Sequence, residues 1–165
     1  ELAGQQALFD RLDKELIARF NKTNVRYVVA GSREVYNSFM AKARFQSLYP
    51  AHIAYTSGLS QYSMAAAAWA ELMEVNDKHR RHMVEMVTRL AGQGQAVTAL
   101  PEILSAARDG RGDVLVIDKG AQLTDEQEAL YCDIIWHVIR HKGKVLMADA
   151  SELGSLGSIA LKLCY

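Results

Sequence analysis

One long stretch of helix-forming sequence constrains the fold most, because residues 61–90 contain no proline or glycine. Near its start, residues 64–69 read Met-Ala-Ala-Ala-Ala-Trp, a run dominated by strong helix formers. Ser60 precedes the stretch and predicts a helix cap. At 1.5 Å per residue the helix would be about 45 Å long. Since that exceeds the width of a small domain, we expect one long helix that connects two units.

The segment before this helix predicts a β-α-β unit. Apolar residues recur at helical spacing over residues 5–22 and again over residues 33–47. Short apolar runs at residues 25–30 and 51–56 predict two strands. Because a helix joins these strands, they should be parallel.

The segment after the helix predicts a small α/β/α sandwich. Residues 113–118 form a continuous apolar run, as expected of a strand with helices on both faces. The other predicted elements are strands at 96–98, 144–148 and 159–165, a helix at 101–108, and a helix that Thr124 or Asp125 caps and that runs to residue 141. The fold class is therefore α/β in both units.

The balance of charged residues differs on the two sides of a predicted linker. The whole chain carries 19 Lys/Arg and 19 Asp/Glu. Residues 1–92 hold 12 Lys/Arg against 9 Asp/Glu, whereas residues 93–165 hold 7 against 10. The boundary falls in Ala-Gly-Gln-Gly-Gln-Ala at residues 91–96, a sequence typical of a linker. We therefore predict two domains, residues 1–92 and 93–165.

Composition excludes several classes of protein. A zero net charge does not favour binding to DNA or to an anionic membrane by bulk charge. No apolar run approaches the roughly 18 residues of a membrane span, and two cysteines without a motif predict reduced thiols in the cytoplasm. Because the chain starts at Glu1 without Met, we also expect it to be a piece of a longer protein.

Three segments carry a family resemblance. Residues 97–117 (VTALPEILSAARDGRGDVLVI) resemble the "V-T-G-x-x-E-V-x-x-A-x-x-x-G-x-V-D-x-L-L-V" segment that opens the third domain of archaeal and eukaryotic class 1 release factors, of Pelota and of their bacterial homologues. Residues 157–165 (GSIALKLCY) are similar to the closing "G-G-I-A-A-x-L-R-Y" of that family, with Cys164 in place of the Arg. Residues 27–32 (YVVAGS), with the elements after them, resemble the back half of the family's central domain.

The resemblance implies a third domain with the fold of the kink-turn-binding ribosomal proteins. In that superfamily the fold docks RNA or, in release factors, a partner translational GTPase. Kink-turn readers begin the corresponding helix with an Asn-Glu pair, of which this chain has Glu102 but not the Asn. The Gly-Gly-Gln hydrolysis motif of release factors is not present, since residues 92–95 read Gly-Gln-Gly-Gln. By resemblance, Thr98, Glu102, Leu153 and Gly154 belong to the partner or RNA surface.

A cluster of cations in the long helix adds a second candidate surface. Lys78, Arg80 and Arg81 lie together with two histidines and could meet RNA phosphates. The alternative is a solvated helix face whose cations pair with acidic residues within one turn, namely Glu74, Asp77 and Glu85.

An enzymatic alternative rests on two carboxylates at strand ends. Asp118 ends an apolar strand in the manner of a Walker B motif, and Asp149 closes a later strand. Together they could hold Mg²⁺ in a phosphatase or nuclease. The chain has no phosphate-binding G-x-x-x-x-G-K-[ST] loop, so we predict neither a metal nor a cofactor site.

The sequence leads to one principal functional hypothesis. We expect a non-catalytic binding module of a release-factor-like or Pelota-like translation factor in the cytoplasm. It would act at the ribosome or ribosomal RNA in termination, rescue or hibernation, and dock a protein such as a translational GTPase. The acidic stretch 102–128, with seven Asp/Glu against three Lys/Arg, suits a basic protein partner. An RNA-binding module of the kink-turn-binding type is the alternative, and the oligomeric state stays open.

Overall fold

A computed structural model describes residues 2–23, 25–55 and 57–164. The chain forms two compact units, Glu1–Asp77 and Lys78–Tyr165. Both are of the α/β class, so the predicted fold class, a β-α-β unit followed by a long helix and an α/β/α sandwich, is confirmed. No helix among the described residues is both long enough and apolar enough to cross a membrane.

The first unit contains a parallel pair of strands. Its elements are α1 (Leu2–Thr23), β1 (Val28–Gly31), α2 (Arg33–Met40), a 3-10 turn (Gln46–Leu48), β2 (Ala51–Ala54) and the first part of α3 (Gln61–Ala91). β1 pairs with β2 in parallel, with Val28 opposite Ala51. The core of the unit is formed by Phe9, Phe39, Leu48 and Tyr49. The side chain of Ser60 caps α3, as predicted, by accepting a hydrogen bond from the backbone N–H of Ser63 at 3.1 Å.

Two predicted elements of this unit differ from those observed. The helix predicted for residues 33–47 ends at Met40, because the buried carboxylate of Asp13 accepts a hydrogen bond from the backbone N–H of Arg44 and holds that segment in a turn. The first strand begins at Val28 rather than at residue 25. In the second predicted strand, residue 56 lies outside the described residues.

The second unit is a four-stranded mixed sheet between helices. Its elements are β3 (Ala96–Val97), α4 (Leu100–Arg108), β4 (Gly112–Asp118), α5 (Asp125–Arg140), β5 (Lys144–Ala148), α6 (Ala150–Leu153) and β6 (Ile159–Leu163). The strand order is β3-β6-β4-β5. β4 and β5 are parallel, and β6 runs antiparallel to both β3 and β4. Residue 165, which the last predicted strand included, lies outside the described residues.

Both faces of this sheet are covered. On one face, α4 and α5 pack on Leu115 and Leu161 of the central strands. On the other face, Val84 and Val87 of α3 pack with Leu153 and with the opposite side of β4. Because this part of α3 contributes to the second core, the compact units divide between Asp77 and Lys78. The domain boundary near residue 92, drawn from the charge division and the linker, stays a prediction.

Candidate functional site

One edge of the second sheet collects the amino ends of three helices. β3, β4 and β5 run in the same direction, so their carboxyl ends lie at a common edge, and α4, α5 and α6 begin there. The strand register supports this, since Ile117 lies opposite Ile159 and Asp118 lies opposite Ala148. We call residues 98–102, 118–128 and 149–158 the loop edge. In α/β sheets the carboxyl ends of parallel strands are a common place for binding sites.

The loop edge is strongly acidic. Its three segments contain seven Asp/Glu and a single Lys. The carboxylates are favoured there because the amino end of a helix carries partial positive charge. Glu102, Asp125, Glu126 and Glu128 are exposed at the starts of α4 and α5. This edge therefore presents negative charge to whatever approaches it.

Capping hydrogen bonds fix two of these helix starts. At α5, the hydroxyl of Thr124 accepts from the N–H of Gln127 at 3.3 Å, and the Gln127 side chain accepts from the N–H of Thr124 at 3.1 Å. At α6, the carboxylate of Glu152 accepts from the N–H of Asp149 at 2.9 Å. Each is a capping box, which satisfies backbone donors that have no partner inside the helix.

Arg80 of α3 is anchored at the same edge. Its guanidinium donates to both carboxylate oxygens of Glu152, at 2.8 and 3.0 Å, and to the carbonyl oxygen of Met147 at 3.4 Å. The side chains of Arg80 and Glu152 are 25% and 23% exposed. A bidentate pair of this kind neutralises the Arg charge and fixes its direction.

The structure brings some of the predicted surface residues together and separates others. Thr98, Glu102 and Gly154 are exposed and belong to the loop edge. Arg80 reaches that edge through Glu152, whereas the side chain of Leu153 is fully buried in the core. Only the backbone at position 153 could therefore meet a partner.

The three cations of the predicted cluster differ in exposure and direction along α3. Lys78 and Arg81 are exposed. Each residue of an α-helix turns by 100° from the one before, so these two side chains leave α3 in directions different from that of Arg80. Arg80 lies at the loop edge through its pair with Glu152.

The two carboxylates of the enzymatic hypothesis have different partners. An oxygen of Asp118 accepts from the N–H of Gly120 at 2.9 Å. An oxygen of Asp149 lies 2.9 Å from the Nζ of Lys119, and this hydrogen bond raises the pKa of the Lys119 ammonium group. Asp118 thus caps its own turn and Asp149 pairs with a Lys, so neither contact gives geometric support to a shared Mg²⁺. Within the described ranges no three His, Cys, Asp or Glu side chains group as a metal site would require.

Glu152 and Lys119 are parts of the site that the sequence reasoning missed. Residues 149–152 read Asp-Ala-Ser-Glu, and an acidic cap followed three positions later by Glu signals a helix start. That signal could have located α6, where no helix was predicted.

Comparison with known proteins adds a family and a fold. The model of the bacterial archaeo-eukaryotic release factor family 3 matches residues 5–111. No curated protein sequence matches the chain significantly.

Solved structures of Pelota and Dom34 resemble the chain. Archaeal Pelota, from a model of ribosome-bound archaeal Pelota and ABCE1, is 18% identical with a TM-score of 0.63, and the match covers 96% of this chain and 49% of that one. Dom34 of S. cerevisiae, described as interacting with Hbs1, is 14% identical with a TM-score of 0.62, covering 94% and 53%. Pelota of Archaeoglobus fulgidus is 18% identical with a TM-score of 0.50, covering 93% and 53%. The chain thus spans about half the length of these relatives, and at such identities the likeness concerns the fold.

Proposed function

The chain belongs to the bacterial archaeo-eukaryotic release factor family 3, and on this premise we propose that it is a binding module of a translation factor that acts at the ribosome in termination, rescue or hibernation. The module itself does no chemistry. It presents the loop edge to a basic protein surface, and residues 1–92 and 93–165 correspond to the end of the central domain and to the third domain of the family.

The acidity of the loop edge is the observation that carries this proposal. Seven carboxylates against one Lys favour a positively charged partner and repel phosphates. The cations at the edge are already engaged, Arg80 with Glu152 and Lys119 with Asp149. Phosphate binding would have to break these pairs, so a basic protein fits the edge better than RNA does.

The partners described for the structural relatives suggest candidate partners for this chain. Archaeal Pelota is described with the ribosome and ABCE1, and Dom34 with Hbs1. For this chain we propose the ribosome as the site of action, in the cytoplasm, with a translational GTPase as a candidate partner. A membrane and DNA are not part of the proposal.

A second candidate function is RNA binding at the same edge. It draws support from the exposure of Thr98, Glu102 and Gly154 and from the position of Arg80 at the same edge of the sheet. Lys78 and Arg81 would then contribute from α3. Replacing Lys78, Arg80 and Arg81 together should lower affinity for ribosomal RNA fragments if this function holds, and should leave it unchanged under the protein-docking proposal.

The docking proposal is tested by reversing charge at one helix start. Glu126 is the second residue of α5 and Glu34 is the second residue of α2, and both are exposed. E126K and E34K therefore perturb a helix start equally, but only E126K changes the loop edge. We expect the double variant D125K/E126K to weaken co-sedimentation with purified bacterial 70S ribosomes by about fivefold to tenfold. Exposed charge pairs contribute up to about 1 kcal/mol each, and two are lost.

The same experiment can overturn the proposal. E34K should bind like the unmodified chain. If the D125K/E126K variant also binds like the unmodified chain, the loop edge is not the docking surface.

A further inference from the structure

A pocket opens in the first unit at the edge where α1 ends and the two strands begin. The carbonyl oxygen of Leu48 accepts from the N–H of Tyr27 at 2.8 Å, and that of Met40 accepts from the side-chain amide of Gln46 at 3.0 Å. These bonds hold the end of α2, the 3-10 turn and the start of β1 together. The pocket between these segments and α1 has a volume of about 230 Å³.

Aromatic rings form part of the pocket wall. Phe20 of α1 and Phe45, which precedes the 3-10 turn, line the pocket together with the apolar side chains of Ile17 and Leu48. Phe45 is 57% exposed, so a planar group that enters the pocket has access to its ring. Ligand pockets typically combine such apolar walls with a few polar groups that fix the orientation of the ligand.

Three polar side chains supply those groups. Asn21, Arg26 and Ser47 line the same pocket, and all three are exposed. Among residues 2–23, 25–55 and 57–164, no hydrogen bond or ion pair engages these side chains. The amide of Asn21 both donates and accepts, as the polar edge of a nucleobase does. The guanidinium of Arg26 suits a phosphate.

The surface around the pocket is basic. Residues 17–48 contain six Lys/Arg and one Asp/Glu, which is Glu34 at the start of α2, beyond the other end of β1. Lys22 lies in the last turn of α1, Arg26 precedes β1, and Lys42 and Arg44 follow α2. All four cations are exposed. The carboxyl ends of helices favour positive charge.

The nearest acidic residues of α1 do not cancel this charge. Asp13 is 3% exposed and accepts from the hydroxyl of Tyr49 at 2.7 Å, so its carboxylate faces the core. Glu15 is paired with Arg11 at 3.1 Å. The pocket edge of the first unit therefore presents positive charge, in contrast to the acidic loop edge of the second unit.

The lining and the charge together favour a single-stranded nucleic acid. Its unstacked bases stack on aromatic rings, whereas the bases of a double helix stay stacked on one another. An acidic peptide matches the cations but not the combination of aromatic rings with the Asn21 amide. Four cations in three segments are also more than the phosphate of one free nucleotide engages, which favours a polymer.

We propose that this pocket receives an unstacked base of a single-stranded RNA. The base lies against Phe45 with its polar edge at Asn21, and the phosphates pair with Arg26 and the neighbouring cations. The choice of RNA over DNA rests on the proposed function in translation. The site itself belongs to the first unit and is separate from docking at the loop edge.

Fluorescence anisotropy of a labelled oligouridylate of about eight nucleotides tests the stacking contact. The unmodified chain should bind this RNA saturably. F45A should weaken binding by at least about fivefold, the smallest factor expected for the loss of one aromatic stacking partner. Y55A is the matched control, because Tyr55 is 53% exposed and follows β2 at the opposite end of the strands. Y55A should bind like the unmodified chain.

The salt dependence of the same binding tests the phosphate contact. Each cation that pairs with a phosphate of a single strand contributes about 0.7 to the slope of log affinity against log salt concentration. R26Q should therefore make the slope shallower by about 0.7. R33Q replaces an exposed Arg at the start of α2, beyond the other end of β1, and should keep the slope of the unmodified chain.

Several results would overturn the proposal. They are an unmodified chain that does not bind the RNA, an F45A variant that binds no more weakly than Y55A, and an R26Q slope equal to that of R33Q. UMP at the same nucleotide concentration should not displace the oligonucleotide, and displacement would identify a site for free nucleotides instead. Circular dichroism checks that each variant is folded. These measurements use no ribosomes, so their failure is distinguishable from failure of ribosome co-sedimentation.

Discussion

The guanidinium of Arg80 and the carboxylate of Glu152 form a bidentate pair at 2.8 and 3.0 Å, although 72 positions separate them in the chain. The pair links the second part of α3 to the short helix α6. Glu152 also accepts from the backbone of Asp149, so one carboxylate closes the α6 cap and receives Arg80. The geometry of the loop edge thus depends on a helix that enters the unit from the preceding segment.

Removal of Arg80 should therefore destabilise the second unit. R80A removes the bidentate partner of the partly buried Glu152 carboxylate, and we expect the free energy of unfolding to fall by about 1–3 kcal/mol. Urea unfolding measures the loss. R89A, an exposed Arg later in the same helix, should change it by less than about 0.5 kcal/mol. If R80A and R89A lower the free energy of unfolding equally, the Arg80–Glu152 pair does not contribute to it.

The α5 cap should also be measurable. T124A removes the hydroxyl that accepts from Gln127, and loss of such a cap costs about 1 kcal/mol. T98A is the control, since Thr98 is exposed and precedes α4 without capping it. Thermal unfolding should give a lower midpoint for T124A alone, and a midpoint equal to that of T98A would contradict the capping role.

The turn between α5 and β5 requires a residue without a side chain. A Cβ at Gly143 would lie 2.8 Å from the carbonyl oxygen of Gly112, which is backbone and cannot move aside cheaply. We expect G143A to cost about 1–3 kcal/mol through overpacking. At Gly120 the nearest atom to a new Cβ is 3.5 Å away, so G120A should be nearly neutral in the same denaturation assay. If both glycines tolerate Ala equally, the close approach is not a constraint.

The first unit should lose stability in alkali through Tyr49. Its hydroxyl donates to Asp13 at 2.7 Å, and burial together with this hydrogen bond raises the pKa of Tyr49 above its ordinary value. In the unfolded chain Tyr49 ionises near pH 10. The stabilisation of the first unit by neutral Tyr49 is therefore complete below pH 10. Above pH 10 it is lost by at most about 1.4 kcal/mol per pH unit.

The Y49F variant isolates this effect. It should reduce the slope of unfolding free energy against pH above pH 10. It should also cost about 1–3 kcal/mol at neutral pH, because the carboxylate of Asp13 is 3% exposed and loses a donor. Y55F, at an exposed Tyr, should keep the alkaline slope of the unmodified chain. A slope unchanged by Y49F would exclude Tyr49 as its source.

Local signals in the sequence were sufficient for most elements of the fold. The apolar run of β4, the glycine-free stretch of α3 and the Thr124 cap each depend on neighbouring residues, and all three occur where predicted. Helix α2 ended early because of a long-range contact from Asp13 to Arg44, which no local pattern contains.

The candidate site was only partly accessible from sequence. The resemblance indicated Thr98, Glu102 and Gly154, and the strand directions place all three at one edge. The ion pairs of Arg80 with Glu152 and of Lys119 with Asp149 depend on the packing of distant segments, so no local pattern of the sequence contains them. The buried position of Leu153 has the same origin, since it follows from how α6 packs under α3.

Co-sedimentation of the chain with purified bacterial 70S ribosomes is the most direct test of the proposed ribosomal role. The chain should pellet with ribosomes in proportion to their concentration and reach saturation. The D125K/E126K variant should pellet less than the unmodified chain, and E34K should pellet equally. A chain that stays in the supernatant at every ribosome concentration, or that pellets equally with and without ribosomes, would contradict a binding module that acts at the ribosome.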